Sequence, residues 1–386
     1  MLTNRQEIMQ TPTQLDQEDN DWLDNTIAYL RHRPYIWVPA AIIVLVVAYA
    51  GFQRLYTTQP IDTDPTVAGQ PLSNPDQHVH TLVINPMQPG IIYLGSHYGL
   101  FTSTNDGHTW PQKRGILNTL MITALAASHI DPQTIGLVGI EPTGGNFGQD
   151  GIYITHDGGA TWNRAHDPSG LPAETYRYAL YPMTSSNHDW LAIYVGKGVY
   201  MSHDDAQTWQ LVRAPASNQE AQTVLWNSVT TPAVMLVGSN LNLQLSQDSG
   251  KSWHSVDSIP GGVKDIEASS ADSKTVYVAA DDGVYRSQDG GITFMKVSIP
   301  VSTAAFTNLA TSLQHPNVVY GLTGQEVWQS TDGGYTWNQQ TMLSTKSPRS
   351  IYVAQDNDKH VYIGFYSPAI IASSSDSGVT WSVIAK

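Results

Sequence analysis

A chain of 386 residues without cysteine can form no disulfide, thiolate metal site or thiol nucleophile, so packing and hydrogen bonds alone must hold it. Its net charge of −14 argues against a generally basic nucleic-acid-binding surface. Only 6 Phe accompany 19 Tyr and 11 Trp, a bias that suits half-buried strand faces, where one ring edge meets polar groups.

In chain order, residues 1–34 are polar and acidic at first, which reads as disorder, and then run Leu23 to Arg31 as a short helix leading onward. Residues 35–52 carry no charge and are rich in Ile, Val, Leu and Ala. As a helix they span ~27 Å, close to the ~30 Å hydrocarbon core of a bilayer. Pro39 falls in the first turn, where its missing N–H costs little, and Trp37 and Tyr49 sit near the two ends, as interfacial aromatics do. Arg5, Arg31 and Arg33 precede the run and Arg54 alone follows it closely. The positive-inside rule therefore places the N-terminus in the cytoplasm and exports the remainder. A cleaved signal peptide is the rival reading, because Ala48-Tyr49-Ala50 before Gly51 fits a small-x-small site; the 34 residues ahead of the run are long for a signal and favour a retained transmembrane helix. Residues 53–77, with Pro60, Pro65, Pro71 and Pro75 among Thr, Asp and Gln, read as a tether that, if flexible, spans ~25–30 Å.

Residues 78–386 repeat. Versions of Ser/Thr-x-Asp-x-Gly-x-Thr-Trp begin at Ser103, Thr155, Ser202, Ser246, Ser287, Ser330 and Ser374, at steps of 52, 47, 44, 41, 43 and 44 residues. The longest step contains a Gly-rich stretch from Gly144, read as a long loop of the second repeat. The fifth copy is the clearest. Strands of alternating pattern at 275–280 and 284–287 flank an Asp281-Asp282-Gly283 turn, a second turn follows at 288–291, and another strand precedes them at 263–268. A repeat of this length is one four-stranded unit that cannot bury its faces alone, and a ring of such units is a propeller. The expectation is an all-β, seven-bladed β-propeller of four-stranded antiparallel blades, preceded by one transmembrane helix.

Each octet falls at the turn between the third and fourth strands. Its acidic position (Asn105, Asp157, Asp204, Asp248, Asp289, Asp332, Asp376) can accept backbone N–H bonds across the turn. Its Gly supplies a positive φ, with Ala206 in that place in the third copy. Its aromatic (Trp110, Trp162, Trp209, Trp253, Phe294, Trp337, Trp381) can wedge between neighbouring sheets. These octets resemble the Asp-box, or BNR repeat, found in sialidases, sortilin-type receptors, xyloglucanases and the photosystem II assembly and stability factors. The resemblance implies that the box is a structural turn remote from the ligand site, so the acidic positions are not expected to hold a metal or to be catalytic.

Enzyme signatures are missing. A sialidase-like site needs three Arg on a carboxylate, a Tyr nucleophile with a Glu partner and an acid/base. The Arg-Ile-Pro motif implied by that resemblance does not occur, and Glu is scarce: Glu141, Glu174, Glu220, Glu267 and Glu326 beyond the tether. A xyloglucanase-like site implies paired Asp between two propellers, whereas one is read here. Of the scattered His, His78 and His80 share a strand face and could bind metal, though a plain surface pair is the simpler reading. No metal or cofactor is expected.

In an up-and-down blade the octets share one face with the turns between first and second strands, while the links between blades lie on the opposite face. Nine cations fall in or beside those links: Lys113, Arg114, Arg164, Arg177, Arg213, Lys264, Lys296, Lys346 and Arg349. They are the candidate partner-binding residues of a relatively basic face, or else surface charges that aid solubility. The sequence thus reads as a membrane-anchored, non-enzymatic docking module, an assembly factor or accessory subunit of a membrane complex. The photosystem factors resemble it in plan, but Arg is sparser here. The alternative is a cell-surface carbohydrate-binding or glycoside-hydrolysing propeller, marked by Arg, Glu and Tyr converging from the inner strands.

Overall fold

The computed structural model describes residues 79–385, apart from 89, 112–114, 142–148, 166–169, 173–177, 270–271, 273, 298–304, 313, 325, 341–347, 355–356 and 366–369. These form seven antiparallel sheets in a ring, each built from one continuous stretch of chain. Six show four strands in simple up-and-down order. Blade 1 shows three among the described residues, Val79–Ile84, Ile92–Ser96 and Gly99–Ser103, with Pro111 O accepting from Thr102 N where a fourth strand would run. A proline there can accept but not donate, so the edge ladder stops. The segments read at 1–34, 35–52 and 53–77 lie outside the described residues. Among the described residues no helix is long and apolar enough to cross a membrane, and the helical structure is one 3-10 turn, Gly115–Asn118.

Alternation is muted in the second strands because both of their faces are covered. Ile92–Ser96, Trp190–Tyr194, Val276–Ala280 and Val361–Phe365 are buried at every position. Neighbouring blades approach closely enough to demand glycine there. A Cβ on Gly95 would meet Ile122 of the next blade at 2.7 Å, and one on Gly238 would meet Val263 at 2.6 Å.

Among the described residues there is no single central core. One cluster of buried apolar side chains lies at each of seven interfaces between adjacent blades, and each includes the octet aromatic of one of its two blades. Trp162 serves blades 1 and 2, Trp209 blades 2 and 3, Trp253 blades 3 and 4, Phe294 blades 4 and 5, Trp337 blades 5 and 6, and Trp381 blades 6 and 7. Trp110 closes the ring with Ile384, Tyr362 and Ile371 of blade 7. The Tyr352 hydroxyl adds a hydrogen bond to Leu82 O across the same seam. Among the described residues closure therefore rests on packing and this hydrogen bond, with no strand exchanged between first and last blades.

The octet turn has one geometry throughout. In blade 6, Ser330 Oγ donates to Asp332 Oδ1 (2.8 Å) and accepts from Gly334 N (2.8 Å). Asp332 also accepts Thr336 N at 2.8 Å and Thr336 Oγ1 at 2.6 Å, and Trp337 Nε1 donates to Gly334 O at 2.9 Å. Asn105 repeats the pattern through Oδ1, accepting Thr109 N at 2.9 Å. In every blade one backbone N–H of this turn donates to the turn between the first two strands, as from Asp205 N to His188 O at 3.1 Å and from Gly290 N to Lys274 O at 2.8 Å. The two turn sets are thus tied together on one face.

Candidate functional site

The inner strands surround a channel along the ring axis. At its mouth on the turn face is a cavity of about 360 Å³ lined by the ends of inner strands, among them Tyr181, Pro182, Leu225, Trp226, Val229 and Glu267. Deeper lies a space of about 290 Å³ beside Asp265, Glu267, Leu309, Thr311 and Tyr352. A third, of about 230 Å³, opens toward the link face beside His80, Arg349, Ser350 and Tyr352. The rim of the turn face exposes apolar tips, Met87 at 48%, Ile130 at 36% and Val229 at 47%.

Asp265 and Glu267 stand two residues apart on Val263–Ala268, so both project from the same strand face into the channel. Solvent touches them, but protein mass surrounds them as in an interior. Desolvation pushes Asp265 up to about 6, although Leu309 N (2.7 Å) and Ile266 N (2.9 Å) donate to it and oppose the shift. Desolvation, then the neighbouring Asp265 charge, pushes Glu267 up to about 8; Thr311 hydrogen bonds moderate it. Burial likewise raises the Tyr181 and Tyr352 phenols. Asp265 is thus the more acidic of the pair, and Glu267 holds its proton to higher pH.

The nine expected cations distribute unevenly. Lys113, Arg114, Arg177 and Lys346 lie outside the described residues. Arg164, on Asn163–Ala165, donates through Nε (3.2 Å) and Nη2 (2.6 Å) to Asp150 O. Arg213 is not a surface group: with its side chain 4% exposed it pairs with Glu220 and donates to Gln244 Oε1 at 2.6 Å. A guanidinium this buried, holding Glu220 and Gln244 through Nη2 and Nε, does not reach the surface, so this position is corrected to a structural one. Lys264 pairs with Asp281 at 2.8 Å and Lys296 with Asp282 at 2.7 Å, both at the turn between the second and third strands of blade 5. Arg349 is exposed on the inner strand of blade 7. Arg164, Arg213, Lys264 and Lys296 are thus each engaged by a carboxylate or a carbonyl.

Of the two His read as a surface pair with metal as the lesser alternative, His78 lies outside the described residues, while His80 stacks on His97 at 5.8 Å. What the sequence reading missed is the inner-strand pair Asp265 and Glu267, because alternation marks the strand without showing what it faces. It also missed a grouping of His156, His188 and Asp205 on the turn face. His188 and Asp205 meet through the turns of one blade, and His156 reaches them only because blade 2 stacks on blade 3.

No family model matches the chain. It is 27% identical over 247 residues to a xyloglucanase of Hypocrea jecorina (strain QM6a), covering 61% of this chain and 27% of that protein. The chain thus spans about a quarter of the length of that relative. Among solved structures it is similar to the GH74 xyloglucanase from Xanthomonas campestris, with a TM-score of 0.64 and 16% identity over 85% of this chain and 56% of that one. It is also similar to YCF48 bound to D1 peptide, with a TM-score of 0.56 and 16% identity over 80% and 98%. YCF48 from Cyanidioschyzon merolae gives 0.57 and 12% over 82% and 98%. At these identities the structural likeness establishes the propeller fold.

Proposed function

We propose that this chain is a membrane-anchored, non-enzymatic propeller that docks a protein at the turn-face mouth of its channel, as an assembly factor or accessory subunit of a membrane complex. The observation that carries this reading is the cavity of about 360 Å³ where Tyr181, Pro182, Leu225, Trp226 and Val229 present an apolar wall on a rigid ring. Apolar tips around it widen the surface a partner segment would cover. The solved propeller carrying a D1 peptide supports protein docking on such a frame. Anchoring rests on residues 35–52 of the sequence.

A second reading, glycan binding or hydrolysis, is favoured by one observation. Two neighbouring channel carboxylates whose environments raise them unequally, Glu267 above Asp265, resemble the acid/base division that glycosidases use. Against hydrolysis, the two project side by side from one strand, whereas a glycosidase flanks the scissile bond with its carboxylates.

The test is co-purification of the detergent-solubilised chain from its native membrane, with wild type, Val229→Asp and Trp226→Ala in parallel. Docking predicts a defined protein captured by wild type and lost from Val229→Asp at unchanged melting temperature. Equal capture by all three would overturn docking at this mouth. Xyloglucan cleavage abolished in Glu267→Gln would favour the second reading.

A further inference from the structure

We propose that His156, His188 and Asp205 form a binding site for a zinc-like divalent cation that clamps blades 2 and 3 together on the turn face. His156 follows Thr155 in the octet of blade 2; His188 lies in the first turn of blade 3, and Asp205 in its octet. The ligating atoms of the three lie within 4.8 Å of one another. His156 Nε2 is 3.0 Å from Asp205 Oδ1, and His188 Nδ1 is 2.7 Å from Asp205 Oδ2. The ligand atoms of a tetrahedral zinc ion stand roughly 3.3 Å apart for bonds of ~2.0–2.1 Å. Side-chain rotations that part His188 from Asp205 by about 0.6 Å and draw in the ligand atoms standing up to 4.8 Å apart would admit one, with water as the fourth ligand.

The hydrogen-bond chain behind His156 is what points to a cation. Thr134 Oγ1 lies 2.6 Å from Asp131 Oδ2 and 2.8 Å from His156 Nδ1. An ionised carboxylate can only accept, so the single Thr134 proton goes to Asp131, and Thr134 in turn accepts from Nδ1–H of His156. A neutral His156 must then aim the bare Nε2 lone pair at the Asp205 carboxylate. Two acceptors at 3.0 Å repel unless a positive charge joins them: a proton on Nε2, or a metal ion. A carboxylate acting through a donor to fix the tautomer of a ligating imidazole is the usual support of a metal site. Asn187 Nδ2 also donates to Asp131 Oδ2 at 3.1 Å, so the support spans both blades.

Asp205 is held in place by a backbone that few residues adopt, with φ of 54°, and by its N–H donating to His188 O. Two imidazoles with one carboxylate suit zinc and its first-row neighbours, not magnesium or calcium. The other charged groups acting on the cluster are Asp131 and Asp157, while His203 pairs with Asp189 at 2.9 Å. Their acidic balance favours a cation.

The test is calorimetric titration of the purified, EDTA-stripped full chain with Zn²⁺ and, separately, Mg²⁺ at pH 7.5. Wild type should bind one saturating equivalent of Zn²⁺ and show no Mg²⁺ binding. His188→Ala should weaken that binding at least about tenfold, and so should Thr134→Val, which touches no metal. His188 is 61% exposed, so its loss leaves the fold intact, and melting in EDTA checks this. His203→Ala, one residue from the octet acid but outside the cluster, should bind as wild type. Affinity should fall as pH drops below about 6, where protons compete for the imidazoles. Absence of saturable Zn²⁺ binding, binding retained in His188→Ala, or equal loss in His203→Ala would overturn the proposal.

Discussion

At the residue scale, buried charge decides which positions are sensitive. Arg213 and Glu220 pair with side chains 4% and 1% exposed. Removing one partner strands the other charge out of water. Glu220→Gln should therefore cost about 3–5 kcal/mol, read by urea unfolding, while Arg213→Met with Glu220→Leu should recover most of that loss. A cost below about 1 kcal/mol for Glu220→Gln would show that water reaches the pair. The channel acids act through pH instead. Glu267 is raised in the folded state to about 8, so folding takes up a proton. Its contribution is complete below the unfolded value of about 4.3 and is lost as pH rises through about 8. Asp265 acts in the same sense over a lower window, ending near 6. Octet carboxylates run the other way. Asp248, lowered to about 2 first by the Ser252 hydroxyl, contributes stability present above about 3.9 and lost as pH falls through about 2. Melting temperature should thus decline from pH 5 to pH 9 in wild type. In Glu267→Gln the decline should be shallower, and parallel curves would refute the assignment.

At the element scale, the repeated turn couples a hydrogen-bonded carboxylate to an aromatic wedge. Asp332→Ala removes acceptors for Ser330 and Thr336, each worth ~1 kcal/mol net. Trp337→Ala empties a buried position between blades 5 and 6 and should cost more, ~3–5 kcal/mol. The reverse order, measured by chemical denaturation, would mean that the turn and not the wedge stabilises the blade. One position invites improvement. Ser249 holds φ of 60° where blades 2, 5 and 6 carry Gly158, Gly290 and Gly333 in the equivalent place. Ser249→Gly should relieve left-handed strain and raise stability by up to about 1 kcal/mol, the greater chain entropy of the unfolded glycine offsetting part of the gain. A fall in stability would show that the serine side chain matters more than its backbone.

At the scale of the whole molecule, seven interfaces in a closed ring leave no blade with an unpartnered face. The seam between blades 7 and 1 is of the same kind as the others, with Trp110 as its wedge. Opening it exposes apolar surface on two blades at once, so loss at the seam should be felt everywhere. Trp110→Ala should lower the melting temperature of one cooperative transition, to about the extent of Trp209→Ala at blades 2 and 3. Two separated transitions in calorimetry would mean that the ring melts blade by blade, as open repeat arrays can.

What the sequence determined by itself is whatever repeats locally. Octet spacing gave the blade count, the Val263–Ala268 inner strand matched its expected bounds, and the aromatic of each octet was legible as an inter-blade wedge. These follow from turn chemistry and strand periodicity, which act over a few residues. The tertiary structure decided everything that depends on which blades meet. It turned Arg213 inward against Glu220 and Gln244 of the next blade, and placed Asp265 and Glu267 in the channel. It also brought His156 and His188 to one carboxylate from neighbouring blades. Periodicity states that a strand has two faces; only closure of the ring assigns one of them to the axis and sets the other charges against their partners.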